Sequence, residues 1–273
     1  MNWQSYSTDV FSVRVIDQKV LVVTLSRPKA ANSIPPQYHE KLDDVWDAFE
    51  SDATLRVAII TGEGKFFCAG ADLKTWLDTV EGRAVDRPMS RGGFLGLSNR
   101  VPKKPYICAL NGPAFGGGTE AAVNCDLTVA AKNATLCLPE VRRGVTAQAG
   151  ALPRIGKLLG LKRAAELALV AEPISADKAL EWGLVNKVVD SPQQVLPAAL
   201  EYAQKIVKGS PEAVAASLVG IRRGTDETNL SSSAATWAGI PQENQRVKGG
   251  DNIAEGLKAF KEKREPRWGD FKL

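Results

Sequence analysis

Three consecutive glycines are followed, after one threonine, by a glutamate in this sequence, and a second glutamate comes twenty residues later. The glycines are Gly116 to Gly118, and the glutamates are Glu120 and Glu140. Glycines at the start of a helix let the backbone approach a ligand closely and leave N–H groups free to bind it. Together with the helix dipole these N–H groups favour negative charge, which indicates a phosphate or oxyanion site. For the glycines alone, a tight strand-to-helix turn is the alternative.

Each glutamate taken by itself is typical of a surface or helix-capping carboxylate. Two carboxyl groups beside an anion-binding turn would instead form an acid–base couple, because neighbouring carboxylates push their pKa values apart. The spacing between Glu120 and Glu140 leaves open whether they meet in space. The couple is therefore a hypothesis about the fold.

The residue types present argue against nucleotide-binding motifs, metal sites and a Ser-His-Asp triad. The glycines lack GxGxxG spacing, and no Lys-Ser/Thr pair follows them, which excludes a dinucleotide fingerprint and a P-loop. The single histidine, His39, excludes His-rich metal sites, and it excludes a Ser-His-Asp triad unless it is the base. No metal is predicted. With one histidine in the chain, we expect carboxylates to carry out any proton transfers. Four cysteines without a CxxC pair indicate free buried thiols in a reducing compartment.

Length and composition indicate an ordinary globular chain. It has 273 residues, 44% of them hydrophobic and 24% charged, enough for a sizeable core. The net charge of +4 is too small for a nucleic-acid footprint, and basic pairs such as Lys103-Lys104 are typical of solvated faces. The longest apolar runs, such as Val57 to Ile60, are far shorter than the ~18 residues that span a bilayer. We therefore predict neither nucleic-acid binding nor a membrane segment.

Alternating strands and helices place the candidate residues at strand ends. Phe11 to Leu25 reads as two strands, Pro36 to Asp52 as an amphipathic helix and Arg56 to Thr61 as a buried strand, and this order predicts parallel pairing. Further along, Pro105 to Leu110 precedes the glycines and a helix from Thr119 to Asn124. Further strands are predicted at Leu127 to Ala131, Thr135 to Leu138 and Leu184 to Val189, and helices at Leu152 to Leu159, Leu161 to Val170 and Ser175 to Trp182. From Gln193 onward only helical patterns appear. We predict an α/β core over residues 1–205 and a helical region over residues 206–273.

Several of these segments together resemble the crotonase superfamily, the enoyl-CoA hydratases and isomerases, over essentially the whole chain. The resemblance is carried by Arg27-Pro28-Lys29-Ala30-Ala31-Asn32, Phe67-Cys68-Ala69-Gly70-Ala71-Asp72-Leu73, Asn111 to Glu120 with Cys125-Asp126, Leu138-Pro139-Glu140, Ala176 to Asn186 and Glu255 to Pro266. It implies a spiral of ββα turns. It also implies that the helical C-terminal region mediates assembly into a homotrimer or a homohexamer, a dimer of trimers.

The resemblance also implies the roles of individual residues. The backbone N–H groups of Ala71 and Gly117 would form an oxyanion hole for the thioester carbonyl of an acyl-CoA. The coenzyme A part of the substrate would lie along Lys29, Ala30, Ala69, Ala71, Asp72, Leu73, Lys74 and Gly117. For Lys29 and Lys74, a solvated face is the alternative. No separate cofactor is expected, because coenzyme A is part of the substrate.

Glu120 and Glu140 match the two glutamates of true hydratases, which implies addition of water to an enoyl-CoA or the reverse dehydration. One carboxylate would act as base on the water while the other delivers the α-proton. The chain departs from the hydratase pattern at Ala147-Gln148-Ala149, where Gln148 replaces the glycine that helps to place the water. This departure favours a specialised acyl group.

Several alternatives to a simple hydratase are open. The segments Glu140 to Gly144 and Arg91 to Phe94 resemble the carnitinyl-CoA dehydratase-like and fungal biosynthetic branches. Other reactions of the superfamily are double-bond isomerisation, decarboxylation and thioester hydrolysis, and some relatives bind RNA. The C-terminal Phe271-Lys272-Leu273 resembles a peroxisomal address, with the cytoplasm as the alternative compartment.

Overall fold

The computed structural model describes residues 1–81, 83, 85, 89–226 and 251–270. Its first part is a strand hairpin followed by a helix and a parallel strand, as the hydrophobic pattern predicted. Strand β1 (Phe11–Ile16) pairs antiparallel with β2 (Val20–Leu25), helix α1 spans Tyr38–Ser51, and β3 (Val57–Gly62) pairs parallel with β2. The connection through α1 is the crossover that parallel pairing requires.

The strand–helix alternation continues to residue 189 and builds two sheets. The elements are α2 (Leu73–Val80), β4 (Tyr106–Leu110), β5 (Ala114–Phe115), α3 (Gly117–Asn124), β6 (Leu127–Ala131), β7 (Thr135–Cys137), α4 (Ala151–Ala165), β8 (Ile174–Ser175), α5 (Ala176–Glu181) and β9 (Lys187–Val189). The larger sheet has the order β1-β2-β3-β4-β6-β9, and β5-β7-β8 form the smaller one. This α/β architecture, in which strands alternate with helices, is the one expected.

The apolar core lies on both faces of the larger sheet. Strands β3 and β4 are almost wholly buried, as is typical of parallel strands covered by helices on both sides. One face is covered by α1, whose Leu42, Val45, Trp46 and Phe49 lie on a single stripe with full burial. Helix α6 (Pro192–Val207) contacts β3, β4, β6 and β9. Residue 205 therefore falls inside a helix that packs against the sheet.

Several predicted boundaries differ from the structure, and three of the differences are the following. Helix α3 begins at Gly117 and not at Thr119, because packing overrides the low helix propensity of glycine there. The last strand is confined to Lys187–Val189, since the residues before it form a turn. The predicted loop from residue 139 to 150 contains a short 3-10 turn at Glu140–Arg143.

The C-terminal region is helical within the described residues, as predicted. It contains α7 (Pro211–Asp226) and α8 (Asp251–Glu262). Helix α7 is tied to the core by Arg222, whose guanidinium lies 2.6 Å from the Asp126 carboxylate. The indole N–H of Trp268 donates to the Lys208 carbonyl at 2.6 Å.

Two further features of the described residues concern thiols and membranes. All four cysteines are free, and Cys68, Cys108 and Cys137 are buried as expected, whereas Cys125 is partly exposed. Over the same part of the chain, no helix combines the length and hydrophobicity that crossing a bilayer demands. The residues Phe271-Lys272-Leu273 lie outside the described residues.

Candidate active site

A cavity of about 630 Å³ opens at the N-terminus of α3. Its floor is formed by the segment from Ala69 to Leu73 and by the glycines before Glu120, and one wall by the segment from Pro139 to Ala149. Glu120 and Glu140 both line it. The fold therefore brings the two predicted carboxyl groups to one cavity.

Glu120 is anchored by the backbone of a segment remote in sequence. Its side chain is buried, and Oε1 accepts hydrogen bonds from the N–H groups of Ala149 at 2.9 Å and Ala151 at 3.2 Å. Burial and, to a smaller extent, the charge of Glu140 raise the pKa of Glu120, the backbone N–H groups partly oppose the rise, and the resulting pKa is about 7. A carboxyl group with this pKa exchanges protons near neutral pH, as acid–base catalysis requires.

Glu140 begins the short turn Glu140–Arg143 and brings an unsatisfied oxygen to the same cavity. Its Oε2 is buried and has no hydrogen-bond partner among the described residues. Burial raises the pKa of Glu140, and the guanidinium of Arg143 partly opposes that rise. A buried carboxylate oxygen without a partner is costly. A bound water or substrate group would satisfy it.

The backbone N–H groups of Ala71 and Gly117 are free to bind a ligand. The bridge to Ile34 uses the carbonyl of Gly70 and the N–H of Asp72, so it skips Ala71. Gly117 is the first residue of α3, where N–H groups lack helical partners. Within the described ranges neither N–H donates to a protein acceptor.

Close backbone contact brings these two N–H groups together. A Cβ at Gly70, where φ is +90°, would lie 2.8 Å from the Phe115 carbonyl oxygen and 3.7 Å from the Gly117 nitrogen. A Cβ at Gly118 would lie 2.6 Å from the Cys68 carbonyl oxygen. Side chains at these positions would separate the two segments. The glycines thus hold two donors side by side, the arrangement that stabilises an oxyanion.

The predicted coenzyme A contacts divide into two groups. Ala69, Ala71, Asp72, Leu73 and Gly117 line the cavity, whereas Lys29, Ala30 and Lys74 are outside its lining. Both lysines are exposed. The turn that carries Lys29 and Ala30 adjoins the cavity floor, because the N–H of Ala69 donates to the Ala31 carbonyl at 2.9 Å. The roles of Lys29, Ala30 and Lys74 stay predictions.

Gln148 lines the cavity with an exposed side chain between two buried alanines. Its neighbour Ala149 is the residue whose N–H binds Glu120. The position assigned to water placement is thus adjacent to the anchor of one carboxyl group. A longer side chain here changes the cavity wall without removing the anchor.

Several cavity residues were not among the predicted site residues. They include His39, Trp76, Phe94, Arg143 and Thr146. The sequence pattern places His39 in a polar helix and Phe94 in a glycine-rich segment. Neither pattern indicates that the residue lines a cavity. Arg143 falls in the segment Glu140 to Gly144, whose resemblance to other branches of the family gave this arginine no role in the site. No group of three or more His, Cys, Asp or Glu side chains suited to a metal occurs in the part of the chain that is described.

Comparisons with known proteins identify the family of this chain. A family model described as enoyl-CoA hydratase/isomerase matches residues 15–271. The mevalonyl-coenzyme A hydratase sidH of Aspergillus fumigatus is 42% identical over 254 residues, 93% of either chain. The carnitinyl-CoA dehydratase of Proteus mirabilis is 39% identical, over 91% of this chain and 94% of the relative.

A solved structure supports the same assignment. The crystal structure of an enoyl-CoA hydratase from Mycobacterium tuberculosis superposes with a TM-score of 0.85 at 37% sequence identity, covering 96% of this chain and 99% of that one. The sequence and structure comparisons agree over nearly the full length, including the segments that carry both glutamates and both free N–H groups. This chain therefore belongs to the enoyl-CoA hydratase/isomerase family.

Proposed function

We propose that this protein is a hydro-lyase that adds water across the 2,3-double bond of an acyl-CoA thioester, or removes it in the reverse direction. The observation that carries the proposal is the position of Glu120 and Glu140 in one cavity, beside two unpaired N–H groups. A reaction that needs only an oxyanion site and one base would leave the second carboxyl group without a role. The relatives named as a hydratase and a dehydratase support the same class of reaction.

The thioester carbonyl oxygen would accept hydrogen bonds from the N–H groups of Ala71 and Gly117. Negative charge builds on this oxygen as water attacks the β-carbon, because the electrons of the double bond move toward the carbonyl. Preorganised donors at such an oxygen contribute about 3 to 4 kcal/mol each when they are removed one at a time. The positive end of α3 favours the same charge.

The two carboxyl groups would divide the proton transfers. One carboxylate takes a proton from water as the hydroxyl oxygen bonds to the β-carbon, and the other carboxyl group gives its proton to the α-carbon. The pair thus begins and ends with a single proton, now on the other glutamate. The pKa of Glu120, about 7, is suited to sharing one proton near neutral pH.

The acyl group is proposed to be a specialised one. The relatives named for mevalonyl-CoA and carnitinyl-CoA show acyl groups other than simple straight chains within the family. In this chain the side chain of Gln148 lines the cavity that Glu120 also lines, where a glycine would leave more space, and it offers a polar amide. Both features support a substituted acyl chain over crotonyl-CoA.

A substrate panel tests the proposal. Crotonyl-CoA, longer and substituted enoyl-CoAs, mevalonyl-CoA and carnitinyl-CoA are each incubated with the protein while the absorbance of the enoyl thioester is followed. We expect the absorbance to fall when an enoyl substrate is hydrated, with water incorporated at the β-carbon. We expect it to rise when a hydroxyacyl substrate is dehydrated. Migration of the double bond without incorporation of solvent oxygen would instead identify an isomerase.

Assembly and compartment complete the proposal. A homotrimer or a dimer of trimers is supported by the exposed side chains of Ile221 on α7 and Leu257 on α8, which are 65% and 68% accessible in the single chain. Light scattering of the purified protein measures the oligomeric state directly.

The peroxisomal address rests on Phe271-Lys272-Leu273 alone. A fluorescent fusion with and without these residues tests peroxisomal against cytoplasmic location.

A further inference from the structure

His39, the single histidine of the chain, lies in the cavity wall without a part in the hydration chemistry. Its side chain is 7% exposed and lines the cavity beside Phe94, with the two ring centroids 4.7 Å apart. The ring of Phe94 covers Gly117, since a Cβ there would lie 2.4 Å from Cγ of Phe94. One aromatic ring therefore separates His39 from the oxyanion donor. His39 lines the cavity, whereas Lys29 and Lys74 are outside its lining.

The protein fixes which nitrogen of His39 can donate. Nδ1 accepts a hydrogen bond from the backbone N–H of Leu95 at 3.2 Å. A neutral imidazole that accepts at Nδ1 carries its proton on Nε2. Burial lowers the pKa of His39 to about 4, and the charge of Asp43 only partly opposes this, so the ring is neutral at physiological pH.

A strained loop holds this arrangement. Leu95 has a φ of +60°, in the left-handed region that is unfavourable for a residue with a side chain. Its carbonyl accepts from the indole N–H of Trp46 at 2.8 Å while its N–H binds His39. The loop is thus fixed from two sides. Nε2 of His39 makes no hydrogen bond to any described residue.

We infer that His39 determines acyl specificity by donating a hydrogen bond from Nε2 to an uncharged oxygen, such as a hydroxyl, on the acyl chain beyond the β-carbon. The inference rests on the proposed function, because it places an acyl chain in this cavity. An uncharged acceptor fits better than a carboxylate, since Glu120 and Glu140 already bring two carboxyl groups to the cavity. Among the described lining residues the one cationic side chain, Arg143, acts on Glu140.

Kinetics on two substrates that differ only in the hydroxyl group test the inference. These are 5-hydroxypent-2-enoyl-CoA and pent-2-enoyl-CoA. We expect the protein to prefer the hydroxylated substrate, and His39→Asn to lower the ratio of the two kcat/KM values by about tenfold, as loss of one hydrogen bond does. Asparagine keeps an acceptor for the N–H of Leu95 but does not reach as far as Nε2.

A matched control separates recognition from anchoring of the loop. Trp46→Phe removes the other bond to Leu95, and Trp46 does not line the cavity. If anchoring were the whole role of His39, both variants would lower kcat/KM for both substrates equally and leave the ratio unchanged. If the ratio of the two kcat/KM values is unchanged in His39→Asn, the inference is overturned. The proposed function still holds in that case if either substrate is hydrated. Hydration of neither substrate, nor of any in the panel, would contradict both.

A binding experiment that needs no turnover gives a second answer. Because the chain contains one histidine, untagged protein labelled with ¹⁵N-histidine yields a single imidazole spectrum. The saturated 5-hydroxypentanoyl-CoA and pentanoyl-CoA cannot be hydrated. We expect the Nε2–H resonance to move downfield with the first and not with the second. Equal shifts with both, a proton on Nδ1 in the free protein, or no binding of either would overturn the inference.

Discussion

Oε1 of Glu120 accepts a 2.9 Å hydrogen bond from the backbone N–H of Ala149, a residue 29 positions further along the chain. The bond joins helix α3 to the segment that follows Glu140, so the anchor of one carboxyl group and the position of the other depend on the same stretch of backbone. Gly150 allows this approach, with a φ of +126° and no room for a Cβ beside the Ser98 carbonyl oxygen. Main chain therefore holds the Glu120 carboxyl group in place.

Loss of either carboxyl group should remove most of the activity. We expect Glu120→Gln and Glu140→Gln each to lower the hydration rate by ~10²-fold or more, the usual scale of general acid–base catalysis. In the proposed mechanism the two groups act on one water, so the double variant should be little slower than the slower single variant. Glutamine keeps the shape, so binding of acyl-CoA, measured by calorimetry, should survive. If Glu140→Gln left turnover unaffected while Glu120→Gln abolished it, a single-base isomerase would replace the hydratase.

The rate should depend on pH through the proton that the pair shares. As pH rises through about 7, the pKa of Glu120, that proton is lost and kcat/KM should fall. At low pH both carboxyl groups are protonated and kcat/KM should fall again. Arg143 holds down the pKa of Glu140, so Arg143→Ala should move the acidic limb to higher pH and leave the alkaline limb near its place. A pH–rate profile without an alkaline limb would contradict the shared proton.

The N–H of Gly117 can be tested without changing any charge. Gly117→Pro removes the donor and should lower turnover by ~10²-fold or more. The new ring also meets Phe94, so Gly117→Ala is the control, because its Cβ meets the same ring at 2.4 Å while its N–H is kept. The comparison is made on folded protein, judged by circular dichroism. Equal activity of the two variants would show that the N–H has no catalytic role.

Gln148 offers a test of water placement and acyl specificity together. We expect Gln148→Gly to keep hydratase activity and to improve it on small substrates. The substitution enlarges the cavity, while the N–H of Ala149 still binds Glu120. The ratio of kcat/KM for crotonyl-CoA to that for the best substrate measures this. Gln148→Ala controls for the loss of the amide alone. Complete loss of activity in both variants would make the glutamine itself essential.

Assembly should depend on the tail. Ending the chain at Lys208 removes α7, exposes the core side chains that Ala215 and Leu218 cover, and breaks the ion pair between Arg222 and Asp126. The shortened protein should aggregate or remain monomeric in light scattering. The matched variant is the full chain with Arg222→Ala, which breaks the ion pair and keeps the apolar cover. A soluble trimer from the shortened chain would refute a role of the tail in assembly.

The sequence predicted the core better than the cavity wall, and the reason is physical. Strands β2 to β4 are buried runs that leave a local pattern, and the glycine–glutamate motif at α3 carries its chemistry in contiguous residues. The contact of His39 with Leu95 joins residues 56 apart through a loop with positive φ, which no local pattern encodes. Likewise the anchor of Glu120 is backbone, so the residue type at Ala149 gives no signal.

The N–H groups of Ala71 and Gly117, which we propose as oxyanion donors, are held where backbone packs against backbone at Gly70 and Gly118 and no Cβ can be added. The acyl side of the cavity, by contrast, is made of side chains such as Phe94 and Gln148 on loops. Substitutions in those loops can therefore reshape what the protein accepts while the distance between the two N–H groups stays constant. Under the proposed function, backbone would thus set the reaction and loop side chains would set the substrate, so that acyl specificity could change while the chemistry is kept.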